Sequence, residues 1–433
     1  MKRISYSIIV NGVNSCTSGC TYCCAAKTSK YSMANYHNVK LEQIPSLLRK
    51  NNAINSEEAK WDFVALEATL DKDIKEVKRI SDTDGYTLHI DAWGADPLSA
   101  FNNLQEMYFF FEAFTAERNM KLDFHTSTNG LPFLIDEWID WVEEHNIHVQ
   151  LSHDGLGQWM RTQDIDPLKD IPRLQEAIKK GTVDWINCTL NYWNWSPIDN
   201  MKYYIDILKP LFPDAATNKI FNKLYIKLNH IYDSDYDIAA KNYKGNICGY
   251  TLEALKDKPI GNLALRNDRA LADEYGVEVL AHVLDDYIAE WYRLAYIMNN
   301  SNWAYYIPFK RYVLSELNRG GNYKDHYGPD SGACRNFQAT KHGIATTGGY
   351  TRTSTFVIDT LGKYCECNLL DSDHSVDNPG GVLPEYCAKC RFRYSKVCNR
   401  CGAVNFRKHC EYNYAWNVFL NNMKHLRFIK TNK

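Results

Sequence analysis

In the first half of the chain, short runs in which apolar and polar residues alternate are separated by longer runs of helical period. Tyr6–Val10, Thr87–Trp93, Leu122–Ser127, Val149–Ser152, Asp184–Leu190 and Leu224–Leu228 read as strands. Leu98–Glu117, Leu134–Glu144, Leu168–Lys180 and Met201–Leu211 read as helices between them. Strands alternating with helices predict an α/β fold with a parallel sheet, because each return to a parallel strand needs a crossover, which is right-handed. In such sheets chemistry collects beyond the carboxyl ends of the strands. The loop after the first strand falls there.

The pattern changes twice further along. From Ile231 the alternation stops, Lys244-Gly245-Asn246 punctuates the chain, and Leu271–Met298 reads as one long helix. This middle part, 231–330, reads as a helical bridge, lid or substrate-recognition segment. From Gly332 onward Cys, Gly, Thr and basic residues dominate, and apolar material is too sparse for a core of its own. Residues 331–433 therefore read as a loop-rich unit in which bound metal supplies much of the folding energy. The three parts are 1–230, 231–330 and 331–433.

Composition excludes several classes. A net charge of −2 gives no global pull toward nucleic acid or membrane. The apolar stretch Ile4–Val10 is too short for the hydrophobic region of a signal peptide, and no run approaches the roughly 18 apolar residues of a membrane span. The expected location is cytoplasmic. In that compartment 14 cysteines argue for metal ligation rather than disulfides. Their placement agrees: four lie in the first 24 residues and eight between Cys334 and Cys410.

Cys16, Cys20 and Cys23 have the spacing C-x3-C-x2-C. Three thiolates on one short loop can hold three irons of a four-iron, four-sulfur cube and leave the fourth iron open to a ligand. A zinc site is the competing reading, with Cys24 as the fourth ligand. Three polar turns follow the next three strands: Trp93-Gly94-Ala95-Asp96-Pro97, Ser127-Thr128-Asn129-Gly130 and Ser152-His153-Asp154-Gly155, the last with Arg161 downstream. Each is also compatible with an ordinary cap or turn.

Taken in this order, the cysteine loop and the three turns resemble the radical S-adenosylmethionine (radical SAM) enzymes. The resemblance implies a partial (β/α)6 TIM-like barrel and a [4Fe-4S] cluster on Cys16, Cys20 and Cys23. The open iron chelates SAM, and an electron from the cluster releases a 5′-deoxyadenosyl radical. It implies that Tyr22 packs near the adenine and that the turn at Gly94, Ala95 and Asp96 offers backbone carbonyls to the SAM amino group. The family's motif at that turn is Gly-Gly-Glu-Pro, from which Ala95 and Asp96 depart. Ser127 and Asn129 fall near SAM and substrate. Ser152 and Arg161 correspond to residues that bind the SAM carboxylate and ribose, although the interval between them is short for the family, and Asn191 is a further candidate for the ribose. His153 reads as structural or outward-facing.

The C-terminal set is Cys334, Cys365, Cys367, Cys387, Cys390, Cys398, Cys401 and Cys410. Zinc ribbons are one reading of its C-x2-C pairs. Its order, with Gly362 and Cys367 matching a Gly-x4-Cys element, resembles the SPASM extension of radical SAM enzymes. The inner spacing here is C-x2-C-x7-C-x2-C rather than C-x2-C-x5-C-x3-C. Eight thiolates suffice for two auxiliary [4Fe-4S] clusters. The family's connectivity implies Cys387, Cys390, Cys398 and Cys410 on the outer cluster, and Cys334, Cys367, Cys401 and Cys365 on the inner one. An inner cluster with an open iron for substrate is the alternative. Seven Lys or Arg and no Asp or Glu lie between Tyr386 and Cys410, a charge that would offset anionic clusters. A solvated basic face or a nucleic-acid patch would carry the same charge.

The resemblance covers Ser5 to about Leu228 and Cys334 to Cys410. It implies an oxidoreductase that modifies a peptide or protein side chain, forming a thioether, a crosslink or a related product, with a flavodoxin- or ferredoxin-type electron donor. Cys16 lies too near the start for a preceding leader-binding domain, so recognition is expected from 231–330 or from a separate leader-binding protein. The family's sulfatase-maturing branch places an Asp base after the Gly-x4-Cys cysteine. Asn368 stands there, leaving Asp154, His125 and Asp371 as candidate bases. Action on a small molecule, a nucleotide or a nucleic-acid base is the enzymatic alternative, and an electron-transfer or scaffold protein the non-enzymatic one.

Overall fold

The computed structural model describes residues 2–13, 16–18, 39–79, 85–162, 164–190, 194, 196–230, 246–247, 250–251, 283–322 and 355–365. Cys20, Tyr22, Cys23, Asn191, Cys334, Cys367, Asp371, Cys387, Cys390, Cys398, Cys401 and Cys410 lie outside the described residues.

All six predicted strands form: β1 (Lys2–Ile9), β2 (Tyr86–Trp93), β3 (Lys121–Thr128), β4 (His148–Ser152), β5 (Val183–Leu190) and β6 (Tyr225–His230). They lie side by side in sequence order, every pair parallel. Sequential order with same-handed crossovers places the connecting helices on one face, which is the topology of a partial barrel. Between β1 and β2 the chain forms α1 (Ile44–Glu58) and α2 (Phe63–Arg79), two helices that the sequence expectations do not include. Leu66, Leu70, Ile74 and Val77 put the buried stripe of α2 at helical spacing. The later helices are α3 (Phe101–Glu117), α4 (Asp136–Glu144), α5 (Trp159–Thr162), α6 (Pro167–Asp170), α7 (Pro172–Lys180) and α8 (Pro197–Leu211).

Two helix expectations change. The single helix expected over Leu168–Lys180 is broken at Ile171, which is extended (φ −118°, ψ 96°). Pro172 causes the break, since it lacks an N–H and disfavours helical geometry in the preceding residue. At its amino end α8 starts at Pro197, four residues before the expected Met201, because the Ser196 hydroxyl caps it by accepting from Asp199 N at 3.1 Å.

Downstream, a short antiparallel pair, β7 (Asn246–Ile247) and β8 (Tyr250–Thr251), precedes α9 (Val283–Asn300) and α10 (Ile307–Asn322). These two helices are not a lid over the described fold. Trp291, Leu294, Met298, Phe309, Tyr312 and Val313 are buried in the main core, and Tyr305 donates to Phe212 O at 2.6 Å. They supply the helical layer beside β6 and α8.

Residues 355–365 also correct the picture of a separate loop-rich end. Strand β9 (Thr355–Asp359) pairs in parallel with β1 and makes the sheet seven-stranded, in the order β6-β5-β4-β3-β2-β1-β9. Asp359 accepts from Asn11 Nδ2 at 3.0 Å, and Thr360 Oγ1 accepts from Asn11 N at 3.0 Å. The start of the cysteine loop is therefore tied to a segment about 350 residues away in the chain.

One face of the sheet is dry and the other polar. Ile90 and Ala92 on β2, Phe124, Thr126 and Thr128 on β3, and Val149 and Leu151 on β4 are buried under the helices. The intervening positions are less buried and carry His89, Asp91, His125, Ser127, His148, Gln150 and Ser152. Strand periodicity makes this division: residues two apart share a face, so two chemically different surfaces come from one set of strands.

Candidate functional site

Cys16 follows β1 and is half-buried and not in a disulfide; its Sγ accepts from Ser18 N at 3.3 Å. The loop it begins is attached to the neighbouring turns through Asn129. The Asn129 amide donates to Thr17 Oγ1 at 3.0 Å and to Ser18 Oγ at 2.7 Å, while its Oδ1 accepts from Leu131 N at 2.9 Å. Asp96 makes the next link. Its carboxylate accepts from Ser99 N (3.2 Å), Asn129 N (3.1 Å) and Thr128 Oγ1 (3.4 Å). Thr17 Oγ1 also lies 3.4 Å from Ser99 Oγ. The turns after β1, β2 and β3 are thus one hydrogen-bonded unit at the carboxyl end of the sheet. Burial pushes the Asp96 carboxyl up to about 6, against the hydrogen bonds it receives.

The side chains of Asp96 and Asn129 are therefore consumed in holding the turns together. Gly94 has φ +149°, a region natural to glycine, and among the described residues a side chain at that position would meet no atom within 4 Å. That turn leaves open backbone facing the cysteine loop's end of the sheet. Among the described residues, the hydroxyls of Ser127 and Ser152 have no hydrogen-bond partner, and Asn187 Oδ1, on the neighbouring β5, is buried without one. Oxygen groups left unpaired at the carboxyl ends are what a polar ligand such as SAM requires, so the residues fit that cofactor.

Asp154 and Arg161 pair with each other. Arg161 Nη2 and Nε donate to the two Asp154 oxygens at 3.1 and 3.3 Å, and Thr189 N donates to Asp154 Oδ1 at 3.0 Å. The Asp154 side chain is fully buried, so it is a structural anchor for the β4 turn rather than an exposed base. His153 is structural as expected, but it points inward. Its Nδ1 accepts from Gly155 N at 3.0 Å, so Nε2 carries the proton and donates to Asp166 at 3.0 Å. Burial lowers its pKa, against the Asp166 carboxylate, which raises it. His125 lies on the polar face with its Nε2 2.8 Å from Asp123.

Cys365 follows β9 and is fully buried with Ile9, Val357 and Trp93, the terminal residues of β1 and β2 among them. This brings a cysteine of the C-terminal set to the same end of the sheet as Cys16. Gly362 has φ +72°, and a Cβ there would meet Ala65 C and O at 2.5 Å, so the glycine of the Gly-x4-Cys element is required by backbone shape and by its approach to α2. Asp91 was not legible as a candidate. It lies on the polar face of β2, makes no hydrogen bond to any described residue, and is pushed up to about 7 by burial. The signal in the sequence is its period: His89, Asp91 and Trp93 are polar or amphipathic residues at every second position.

Among the described residues no helix is long and apolar enough to cross a membrane. No family model matches the chain, and no curated protein matches it. Among solved structures, native anSMEcpe with bound AdoMet is similar at 17% identity and TM-score 0.46, with 98% of each chain covered. Native anSMEcpe with bound AdoMet and the Cp18Cys peptide is similar at 17% identity and TM-score 0.47, again over 98% of each chain. With the Kp18Cys peptide the values are 18% and 0.46, over 98% of each.

Proposed function

We propose that the chain is a radical SAM enzyme with auxiliary iron–sulfur clusters that oxidatively modifies a peptide or protein side chain. The observation that carries this reading is the C-x3-C-x2-C loop at the carboxyl end of the first strand, joined through Asn129 and Asp96 to the two neighbouring turns. Cys16, Cys20 and Cys23 hold the first cluster. The Gly94–Ala95 backbone, Ser127 and Ser152 receive the polar groups of SAM. When bound, SAM and the cluster supply a radical that takes hydrogen from an unactivated carbon. The chain's own residues orient the substrate on the polar face of the sheet and remove a proton there. With Asp154 committed to Arg161, Asp91 becomes the proton acceptor, since a carboxyl near neutral pKa suits a general base.

The eight C-terminal cysteines support two further clusters, and the buried position of Cys365 beside the end of β1 supports an inner cluster facing the substrate. Three cubes require about twelve irons per chain, with labile sulfide to match. Anaerobic preparations with zinc in place of iron would defeat the reading. The substrate class is tested with short peptides, including any encoded beside the gene: reduced enzyme and SAM should remove a pair of hydrogens from the substrate, read by mass. Salt-dependent retention on DNA with no change in any peptide would point to the nucleic-acid alternative instead.

A further inference from the structure

We propose that His89, Asp123 and His125 bind one divalent transition metal of the zinc class, at a site whose ligands include no cysteine. Their ligand atoms all lie within 4.8 Å of one another. Sheet register brings them together: His89 on β2 is directly opposite Asp123 on β3, and His125 is two residues along β3, so all three share the polar face.

The orientations are those of a ligand set. His89 Nδ1 lies 2.9 Å from Asp123 Oδ2, and His125 Nε2 lies 2.8 Å from Asp123 Oδ1. An ion entering between these atoms takes the place of the two bridging protons, each neutral imidazole then carrying its proton on its other ring nitrogen, and converts two hydrogen bonds into metal–ligand bonds. The ring of His125 is held from both sides, edge-on to His89 at 4.4 Å and stacked on His148 at 4.7 Å. His148 is itself held by Asp184 at 3.0 Å. Rings fixed in this way need little reorganisation to bind an ion.

Two imidazoles and a carboxylate suit zinc, manganese or ferrous iron and are poor competitors for the thiolate-bound clusters. Three protein ligands leave further positions open, and these face the polar side of the sheet, where water or a carboxylate oxygen would complete the shell. Along β3, Asp123 and His125 precede Thr128 by five and three residues, roughly 16 and 10 Å at about 3.3 Å per residue, so the site lies further down the same face than the cysteine loop, with His125 directly opposite Asp91. Among the described residues, one group opposes the ion. Arg3 Nη2 lies 3.4 Å from Asp123 Oδ2, but this side chain is half exposed and can swing out to water. The opposition gives the site a signature, since removing the arginine should tighten metal binding whereas removing a histidine should weaken it.

The test uses tag-free, anaerobically reconstituted full-length protein, dialysed against chelator and then against zinc, with zinc and iron counted in the same sample. Wild type should take up one zinc per chain beyond its iron. His89→Ala and His125→Ala should each lose at least about tenfold in zinc affinity with the iron count unchanged, and Arg3→Ala should gain. X-ray absorption at the zinc edge of wild type should show only nitrogen and oxygen neighbours. Sulfur in the zinc shell, or equal zinc uptake by wild type and both histidine variants, would overturn the proposal. The absorption measurement needs no variant and decides the matter even if a substitution impairs folding.

Discussion

Asn129 does more than terminate a strand. Its amide holds both hydroxyls of the cysteine loop, so Asn129→Ala leaves Thr17 and Ser18 buried without that partner. A cost of about 1–3 kcal/mol in stability is expected, with weaker binding of SAM, measured by the SAM-induced change in the reduced cluster's electron paramagnetic resonance spectrum. Asp96 adds a pH dependence. Its folded pKa, about 6, lies above its ordinary value of 3.8, so the folded chain keeps a proton that the unfolded chain has lost. Stability from this group falls as pH rises from about 4 to about 6 and is level above. Asp96→Asn, which sacrifices hydrogen bonds at every pH, should therefore be less harmful at about pH 7.5 than at about pH 5, by on the order of 1 kcal/mol in chemical denaturation. Asp91→Asn should suppress peptide product while leaving 5′-deoxyadenosine formation in place; equal loss of both would remove Asp91 from the role of base. The residue types at these positions were legible from the turns. Their roles were not, because Asp96, Asn129 and Asp154 are recruited by partners on other turns, and Asp91 is marked only by its face of the strand.

Among the elements, β9 shows how much of the fold is non-local. The six core strands are evident from alternation, and the break before α7 follows from Pro172. Nothing local reveals that Thr355–Asp359 pairs with β1, because parallel neighbours can come from any distance in the chain. Its turn depends on Asp359, which accepts from Leu361 N at 3.0 Å and Lys363 N at 2.9 Å, and on Gly362, whose carbonyl accepts from Thr69 Oγ1 at 2.7 Å. Gly362→Ala forces a Cβ into the α2 backbone at an unfavourable φ. A loss of about 2 kcal/mol or more is expected in thermal or chemical unfolding, together with a lowered iron count if Cys365 is a cluster ligand. An unchanged unfolding midpoint would mean that the β9 turn does not pack on α2 as described.

At the scale of the molecule, the sheet separates two kinds of surface. The helix-covered face holds the chain together, and the opposite face presents His89, Asp91, His125, Ser127 and Ser152 toward the end where the first cysteine loop lies. The N-terminal strand and residues 355–365 meet there, because β9 delivers Cys365 beside Ile9 and Trp93. This convergence makes the radical reading economical: one end of one sheet gathers the cysteine loop, the open Gly94 turn and a member of the second cysteine set. The most direct measurement is made on anaerobically reconstituted protein, reduced and mixed with SAM, with the nucleoside products separated and identified. The proposed function predicts 5′-deoxyadenosine from wild type and none from Cys16→Ala, Cys20→Ala or Cys23→Ala. Wild-type protein with its iron–sulfur clusters intact that yields no 5′-deoxyadenosine would contradict it.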